Sequence, residues 1–423
     1  VDIGQGDGCL IVMPDNGKPD IQRRAVVIDA GEKDNMMRYL KYRFMYPTAR
    51  RPRELHAGII SHPDKDHYAG FKPIFKQPGL SFKTLYHNGL VERKGELALG
   101  PVTRTKPPLI TDLIKSKAQL RKLLDKDALL PGHKNYPDML RDALNADKFG
   151  TFKMLCRDDG YMPGFGPGDE VVIQVLGPVV EKANGGIAGL RDFGSTGFTK
   201  NGHSVVLRLT YGGVRMLLGG DLNIPAEKLL LSSIMGKPVP EKASALSSYI
   251  QKARKELEVD IAKSCHHGSA DFSSLFLSAV NPIVTVISSG DDEPHSHPRA
   301  ETLGAIGVNS RGERPLIFST ELARSAKDAI RDPANERRQL KAAHLSVLEA
   351  ATAFNTARSA GEKAEARKRK NAANKSFRKL VDDTINRTVQ VYGAIYVRTD
   401  GKDVVIGQRI ERGSAGRQWD VSS

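Results

Sequence analysis

The amino-acid sequence predicts a layered α/β fold, and three observations support this. Short apolar runs with the length of β-strands recur about 15 to 30 residues apart in the first part of the chain. A helix-compatible stretch at 33–45 lies between two of these runs. The chain has 423 residues, of which 39% are hydrophobic, so it can form one large core with insertions, or two domains.

The predicted strands are apolar and end at turn residues or at polar motifs. The runs 205–209 and 214–218 are joined by Tyr211-Gly212-Gly213, which predicts a β-hairpin. The predicted strands are 9–13, 25–28, 57–60, 171–176, 205–209, 214–218, 261–262 and 283–287.

Two segments interrupt this strand pattern. Residues 91–170 are rich in Lys, Pro and Gly and are interpreted as an insertion over one face, with helical pieces near 110–126 and 136–147. Residues 322–388 are rich in Ala, Lys and Arg, and their apolar spacing fits two amphipathic helices joined as a hairpin. The predicted domains are a core at 1–321, a basic helical insertion at 322–388, a terminal β-hairpin at 389–412 and a tail at 413–423.

The composition indicates what kind of partner the protein binds and in which cellular compartment it is expected. A formal net charge of +15 favours an anionic partner, although a basic chain can also be basic only for solubility. The three cysteines do not form a disulfide framework, and no run of 18 apolar residues predicts a membrane span, so we expect a cytoplasmic protein. Because Val1 already lies inside a motif, we expect the start to be incomplete, and a lost targeting peptide stays open.

The strongest functional signal directly follows the third predicted strand. It places four metal-competent side chains within six residues, and a turn after a strand can direct all four to one point. Imidazole nitrogens and carboxylate oxygens are ligands that zinc accepts, as do manganese and iron. The motif is Ser61-His62-Pro63-Asp64-Lys65-Asp66-His67.

This segment resembles the His-x-His-x-Asp-His signature of the metallo-β-lactamase superfamily, with Asp64 at the second His position. The whole motif set resembles one branch, the hydrolase domain of ComEC-type competence proteins and their free-standing relatives. The resemblance implies an αββα four-layer sandwich with helical insertions. The other matching motifs are Asp2 to Asp7, Asp29-Ala30-Gly31, Gly220-Asp221, His266-His267-Gly268-Ser269 and His297-Pro298.

The resemblance also implies roles for single residues around two divalent ions, with zinc preferred and manganese as the alternative. His62 and Asp64 would bind the first ion, Asp66, His67 and His297 the second, and Asp221 would bridge both. The expected catalytic residues are Asp66, His266 and His267, with Ser269 near the substrate. Asp7 and Asp29 are expected to support the ligands by hydrogen bonds.

The chain departs from the branch at one position. Relatives carry a His-Pro after the strand that precedes the hairpin, whereas this chain has Gly177-Pro178, and glycine offers no ligand. The first ion is therefore expected to bind more weakly, or to be completed by His203, water or substrate. His295 is an outside candidate as a ligand, and Cys265 is left out of the site as an apolar strand-end residue.

The chemistry expected at such a site is hydrolysis by a two-metal-activated hydroxide. The branch resemblance and the net charge favour a phosphodiesterase or nuclease, with the basic run Arg367-Lys368-Arg369-Lys370 binding nucleic acid or another phosphodiester substrate. A solvated helix face is the other interpretation of this run. The alternatives are a small-substrate esterase, acting on a phosphorylcholine-type ester or a lactone, and a catalytically decayed binding module. The sequence does not predict the oligomeric state.

Overall fold

The computed structural model shows a mixed α/β fold. It describes residues 1–14, 22–95, 98–126, 130, 135–183, 186–290, 297–312, 315–320, 333–388, 394–409 and 419–422. Its strands are β1 (Cys9–Val12), β2 (Ala25–Ile28), β3 (Arg53–Ile60), β4 (Leu80–His87), β5 (Leu109–Ile110), β6 (Phe149–Met154), β7 (Val171–Gly177), β8 (Glu181–Lys182), β9 (Ala188–Arg191), β10 (Val206–Tyr211), β11 (Val214–Leu218), β12 (Ile261–Lys263), β13 (Val284–Ile287), β14 (Leu316–Ser319), β15 (Ile395–Thr399), β16 (Val404–Arg409) and β17 (Trp419–Ser422). Its helices are α1 (Asn35–Arg43), α2 (Lys65–Tyr68), α3 (Phe71–Lys76), α4 (Lys117–Leu124), α5 (Tyr136–Asn145), α6 (Thr196–Gly202), α7 (Ile224–Met235), α8 (Ala243–Leu257), α9 (Ser274–Val280), α10 (Ala300–Asn309), α11 (Pro333–Thr356) and α12 (Ala360–Thr388).

Two mixed sheets form the centre of the molecule. The first has the strand order β1-β2-β3-β4-β6, and the second has the order β14-β13-β12-β11-β10-β7. In each sheet, an antiparallel part is followed by parallel strands. The antiparallel pair β10 and β11 is the hairpin that the sequence predicts around Gly212.

Apolar side chains fill the space between the sheets and cover both outer faces. Val26 and Ile59 of the first sheet pack in one cluster with Ile173 and Leu207 of the second. The outer face of the first sheet packs against α1, α3, α4 and α5, and that of the second packs against α7, α8 and α9. Strands buried on both faces read as continuous apolar runs. The result is the helix–sheet–sheet–helix order expected for an αββα sandwich.

The segment at 91–170 differs in part from the expected insertion. Strand β6 lies at the edge of the first sheet, parallel to β4. Leu120 of α4 and Leu140 of α5 are buried in the hydrophobic cluster on that sheet's outer face. The Lys, Pro and Gly content of the segment gave no indication of strand β6 or of these core contacts. The polar residues lie in the connections, whereas a few apolar residues make the core contacts.

Helices α11 and α12 pack on each other, and α12 also packs on α1. Leu340, Phe377 and Val381 are buried in the cluster that covers the first sheet. Leu345 and Leu348 are three residues apart, a spacing that predicts one apolar face of α11, but both are 47% exposed. The buried face is instead the one that carries Leu340 and Val347, which lie two helical turns apart.

Strands β15 and β16 form an antiparallel hairpin that returns to the second sheet. Ile406 packs with Ile261, Val284 and Phe318, and the Gly213 N–H donates to the Gly401 carbonyl at 2.6 Å. Residues 321–332, 389–393 and 410–418 of the predicted C-terminal segments lie outside the described residues, so the predicted division into domains stays a prediction. Among the helices that the structure describes, none is long and apolar enough to cross a membrane.

Candidate metal centre

The predicted motifs converge where strands of both sheets end. Asp29 follows β2, the motif at 61–67 follows β3, Asp221 follows β11, and His267 follows β12. The N-terminal loop reaches the same place, since the Asp7 N–H donates to the Asp66 carbonyl at 3.3 Å. Ligand sites in α/β proteins commonly lie beyond the carboxyl ends of the strands, where the backbone turns away and side chains can meet.

His67 is held so that one ring nitrogen faces the centre. Its Nδ1 donates to Asp29 Oδ2 at 2.8 Å, and the Ser61 hydroxyl donates to the same oxygen at 2.7 Å. Nε2 is left 3.2 Å from Asp221 Oδ2. A carboxylate on the far nitrogen of a metal-binding histidine fixes its tautomer and its orientation. Asp29 therefore fixes the ring of His67, and its role in supporting a metal ligand stays a prediction.

His267 faces the same point from the opposite sheet. Its Nδ1 donates to the Ser288 carbonyl at 3.0 Å, and its Nε2 lies 3.2 Å from both Asp66 Oδ2 and Asp221 Oδ2. His266 and His267 both have positive φ angles, 48° and 54°. Non-glycine residues rarely adopt this conformation, and it is concentrated at functional sites. Here it presents two successive imidazoles from one tight turn.

Four buried residues form a compact ligand set, which we call the four-residue group. In the part of the chain that the structure describes, their ligand atoms all lie within 4.8 Å of one another. Asp221 Oδ1 is buried without a hydrogen-bond partner among the described residues. Two imidazole nitrogens and two carboxylates suit a divalent ion such as zinc or manganese, so these residues fit a metal. The group consists of Asp7, His67, Asp221 and His267.

His62 and Asp64, which we call the His62 side, lie next to this group but outside it. His62 Nε2 is 3.6 Å from Asp64 Oδ2 and 4.0 Å from Asp221 Oδ2. His62 Nε2 has no hydrogen-bond partner among the described residues, and its Nδ1 faces the hydroxyls of Ser61 and Ser204 at 3.0 and 3.2 Å. The His62 side thus has fewer ligands than the four-residue group.

A family model described as the metallo-beta-lactamase superfamily matches residues 20–266, which is more than half of the chain. The chain belongs to the metallo-β-lactamase superfamily. One similar solved structure is described as Tm1679, a metal-dependent hydrolase of the beta-lactamase superfamily. The two chains are 10% identical, with a TM-score of 0.33 over 74% of this chain and 96% of that chain, a likeness too low to carry an argument. No match was found among curated proteins.

The superfamily is one of metal-dependent hydrolases, and the buried His and Asp cluster of this member could bind metal. Asp7, expected only as a supporting residue, lies within the four-residue group itself. Asp66 lies at its border, with Oδ2 3.9 Å from His67 Nε2. His297 is buried beside it, with its ring centroid 6.4 Å from that of His267. His295 lies outside the described residues.

An open cavity adjoins the metal centre. It has a volume of about 440 Å³ and is lined by His266, Ser269, Ala270, His297, Arg299 and Glu301. The His266 ring is partly exposed there, and its Nε2 lies 3.9 Å from Asp221 Oδ2. Ser269 lines the cavity, and its role near a substrate stays a prediction. The four predicted basic residues at 367–370 lie on α12, which packs against α11 and α1.

Two residues considered at the sequence level have structural roles. His203 is buried, stacks on Phe193 and donates from Nε2 to the Arg191 carbonyl at 2.7 Å, so it does not complete the His62 side. Burial lowers the pKa of His203 to about 4. Burial also raises the pKa of the Cys265 thiol, which keeps the thiol neutral and agrees with its exclusion from the site.

Charges in the centre stabilise one another. Burial alone would raise the pKa of Asp221, but His267 and His67 hold it well below its usual value. Burial alone would lower the pKa of His67, but Asp221, Asp29 and Asp66 raise it. In the absence of a metal, protonated imidazoles therefore balance the carboxylates. A bound metal cation would balance the carboxylates instead, and the imidazoles would then release their protons.

Two lysines that the sequence analysis missed also contact the cluster. The Lys263 ammonium pairs with Asp7 Oδ2, donates to the Gly220 carbonyl at 3.2 Å and lies 4.0 Å from Asp221 Oδ1. The Lys200 ammonium pairs with Asp64 Oδ1. The signal for Lys263 was available, because a lysine that ends a short buried strand three residues before His266 is unusual unless it is paired. Nothing in the sequence near Lys200 marks it.

Proposed function

We propose that this protein is a metal-dependent phosphodiesterase that acts on nucleic acid. The observation that carries the hydrolytic part is the four-residue group, which brings two imidazoles and two carboxylates to one buried point. Burying two carboxylates and two imidazoles together costs free energy unless they pair with one another or bind a cation. Membership of a superfamily of metal-dependent hydrolases supports the same conclusion.

The proposed ligands of the metal are the nitrogens and oxygens that already face one another. The four-residue group would hold one ion, and His62 and Asp64 form the weaker half of the centre, with His297 nearby as a further predicted ligand. The set suits zinc first and manganese as the alternative. When bound, a divalent ion lowers the pKa of water towards neutrality and draws electron density from a phosphoryl oxygen.

The protein's own residues supply the proton transfers. Asp66 is ionised, since His67 and His267 hold its pKa low against the effect of burial, and it accepts the proton of the attacking water. His266 lines the cavity as well as lying near Asp221, and donates to the leaving oxygen. His267 is buried and bonded on both sides, so we assign it to the metal rather than to proton transfer.

Three features support a phosphodiester as the substrate. The net charge of +15 favours a polyanion. Arg299 lines the open cavity beside His266 and could contact a phosphate. The motif order resembles the ComEC-type branch, whose domain is thought to degrade a DNA strand. A pocket enclosed by the segment 91–170 would favour a small ester as substrate, whereas residues between 266 and 301 line this cavity.

The experiment compares two substrates with one protein. Protein loaded with manganese or zinc is incubated with labelled single-stranded DNA and with a bis-aryl phosphodiester. We expect cleavage of both, and loss of both in Asp221→Asn. Hydrolysis of a phosphorylcholine ester or a lactone without cleavage of DNA would favour the small-substrate esterase. A metal-loaded protein that binds DNA but cleaves neither substrate would favour the decayed binding module.

A further inference from the structure

The Lys200 side chain is fixed against the His62 side. Lys200 lies in the last turn of α6, and its side chain is only 13% exposed. Its ammonium pairs with Asp64 Oδ1, lies 3.1 Å from Glu92 Oε1 and 3.4 Å from the Pro63 carbonyl oxygen. Three oxygens therefore hold a positive charge at the place where the superfamily signature would have an ion.

The His62 side offers few ligands of its own. Gly177 ends β7 without a side chain, and His203 is bonded to Arg191. Lys200 already engages one of the two Asp64 oxygens, which leaves Asp64 Oδ2 and His62 Nε2, 3.6 Å apart. Among the described residues, the compact ligand set does not include either residue.

Lys263 does not have the same effect on the four-residue group. It pairs with one oxygen of Asp7, but the ring nitrogens of His67 and His267 remain directed at Asp221. That side therefore keeps two imidazoles and a carboxylate when its lysine is in place. The two halves of the centre therefore differ in the number of ligand atoms that remain available to a metal ion beside the lysine of that half.

We propose that the Lys200 ammonium takes the place of a second metal ion at the His62 side, so that the centre binds one ion tightly. This inference rests on the proposed metal centre. Lys200 engages one oxygen of Asp64 and leaves the His62 side one carboxylate oxygen and one imidazole nitrogen, whereas Lys263 leaves the four-residue group two imidazoles and a carboxylate. The carboxylate of Asp64 is already paired with the Lys200 ammonium through one of its two oxygens.

The test counts metal ions per chain. The full chain is loaded with manganese, dialysed and analysed for metal content, alongside Lys200→Met, Lys200→Arg and Lys117→Met. Lys117 is a matched control, since its side chain is 20% exposed and lies 3.5 Å from Asp147. We expect one ion in the original chain, in Lys200→Arg and in Lys117→Met. In Lys200→Met we expect two, with the second ion bound about 100-fold more tightly than in the original chain.

A spectroscopic measurement on the unaltered chain keeps the inference testable if Lys200→Met fails to fold. The electron paramagnetic resonance spectrum of the manganese-loaded chain should be that of isolated ions. A spectrum of exchange-coupled pairs, with two tight ions per chain, would overturn the inference. A folded Lys200→Met that still binds one ion would also overturn it. Absence of any bound ion would overturn the metal centre itself, whereas one bound ion without cleavage of phosphodiesters would count against the proposed function alone.

Discussion

At the scale of single residues, the supporting contacts are as informative as the ligands. Asp29 accepts hydrogen bonds from His67 Nδ1, from the Ser61 hydroxyl and from the Ser61 N–H. These three donors fix the carboxylate, and the carboxylate fixes the imidazole. The orientation of His67 therefore depends on a residue that does not face the metal.

We predict that Asp29→Asn weakens metal binding by about 10- to 100-fold, because an amide cannot accept from all three donors and His67 loses its fixed tautomer. Isothermal titration of the metal-free protein with manganese measures the change. Asp142→Asn, at an exposed position on α5, is the control and should bind as the original chain does. Unchanged affinity in Asp29→Asn would show that His67 is oriented by other contacts.

A buried glutamate away from the ligands predicts a dependence of stability on pH. Glu227 on α7 is buried, accepts from the Ser273 N–H at 2.6 Å, and burial raises its pKa well above the usual value. The folded protein must therefore hold a proton that the unfolded chain releases. Its contribution to stability is complete below the unfolded pKa of about 4.3 and is lost as pH rises towards the folded pKa.

Glu227→Gln should remove this dependence, because glutamine keeps an acceptor and has no proton to release. We expect the free energy of unfolding of the variant to rise relative to the original chain by about 1.4 kcal/mol per pH unit within that window. Urea unfolding at pH 5 and pH 7 measures it. A difference that is the same at both pH values would contradict the proposed protonation of Glu227.

The sequence predicts the ligand candidates but not their partners. His62, Asp64, Asp66 and His67 are adjacent in sequence, so their density alone marks them. Lys200 and Lys263 reach the cluster from other elements, and lysine is not a common metal ligand. No local pattern indicates Lys200, and only the position of Lys263 at the end of a short buried strand gave a signal. The sequence analysis left His203 open as a possible ligand, and the residues around it gave no sign that it is buried.

At the scale of elements, the N-terminal loop is pressed against the loop that carries Asp66. Gly6 has φ +109°, and a Cβ atom there would lie 2.0 Å from the Asp66 carbonyl oxygen. No side chain fits in that space, so the glycine allows Asp7 to reach the four-residue group. The position of one ligand thus depends on close contact between two backbones.

We predict that Gly6→Ala lowers stability by about 2 kcal/mol or more and weakens metal binding, because the Asp66 backbone must move. Thermal unfolding and metal titration measure the two effects. Gly95→Ala is the matched control, since Gly95 also has a positive φ but has no atom within 4 Å of the added Cβ. It should share the backbone strain but keep its metal affinity. Equal metal affinity in both variants would contradict the role of this contact.

Elements with a strong apolar run are predicted well, and those with mixed composition are not. Strands β2 and β13 match the sequence prediction to within a residue at their ends. Strand β6 was missed because its sequence, Phe-Gly-Thr-Phe-Lys-Met, alternates weakly and lies among polar connections. Helix α11 was predicted, but its buried face was not, because the choice between two apolar stripes depends on α12.

At the scale of the whole molecule, the densest basic run of the chain, 367–370, lies on helix α12. Arg367 and Lys370 on α12 lie over the ring of Phe354 on α11, at 5.7 and 4.9 Å, so part of this basic run stabilises the helical hairpin. Arg367, Lys368 and Arg369 are nevertheless exposed. The run is therefore available to a polyanion as well as to the hairpin.

Replacing the four basic residues at 367–370 with glutamine should weaken DNA binding for all sequences. The slope of log affinity against log salt should fall by about one for each lost phosphate contact. Turnover of a small phosphodiester should not change, because the substituted residues lie outside the metal centre. Binding measured by fluorescence anisotropy at several salt concentrations tests this. An unchanged slope would show that residues 367–370 do not contact DNA and form only a solvated helix face.

The central claim is that hydrolysis depends on a metal held by the buried His and Asp cluster. The most direct measurement is the rate of bis-aryl phosphodiester hydrolysis by chelator-treated protein, before and after stoichiometric manganese or zinc is added, with Asp221→Asn measured in parallel. The account predicts no turnover without metal, recovery on addition of metal, and no recovery in Asp221→Asn. Equal turnover with and without metal, or full recovery in Asp221→Asn, would contradict it.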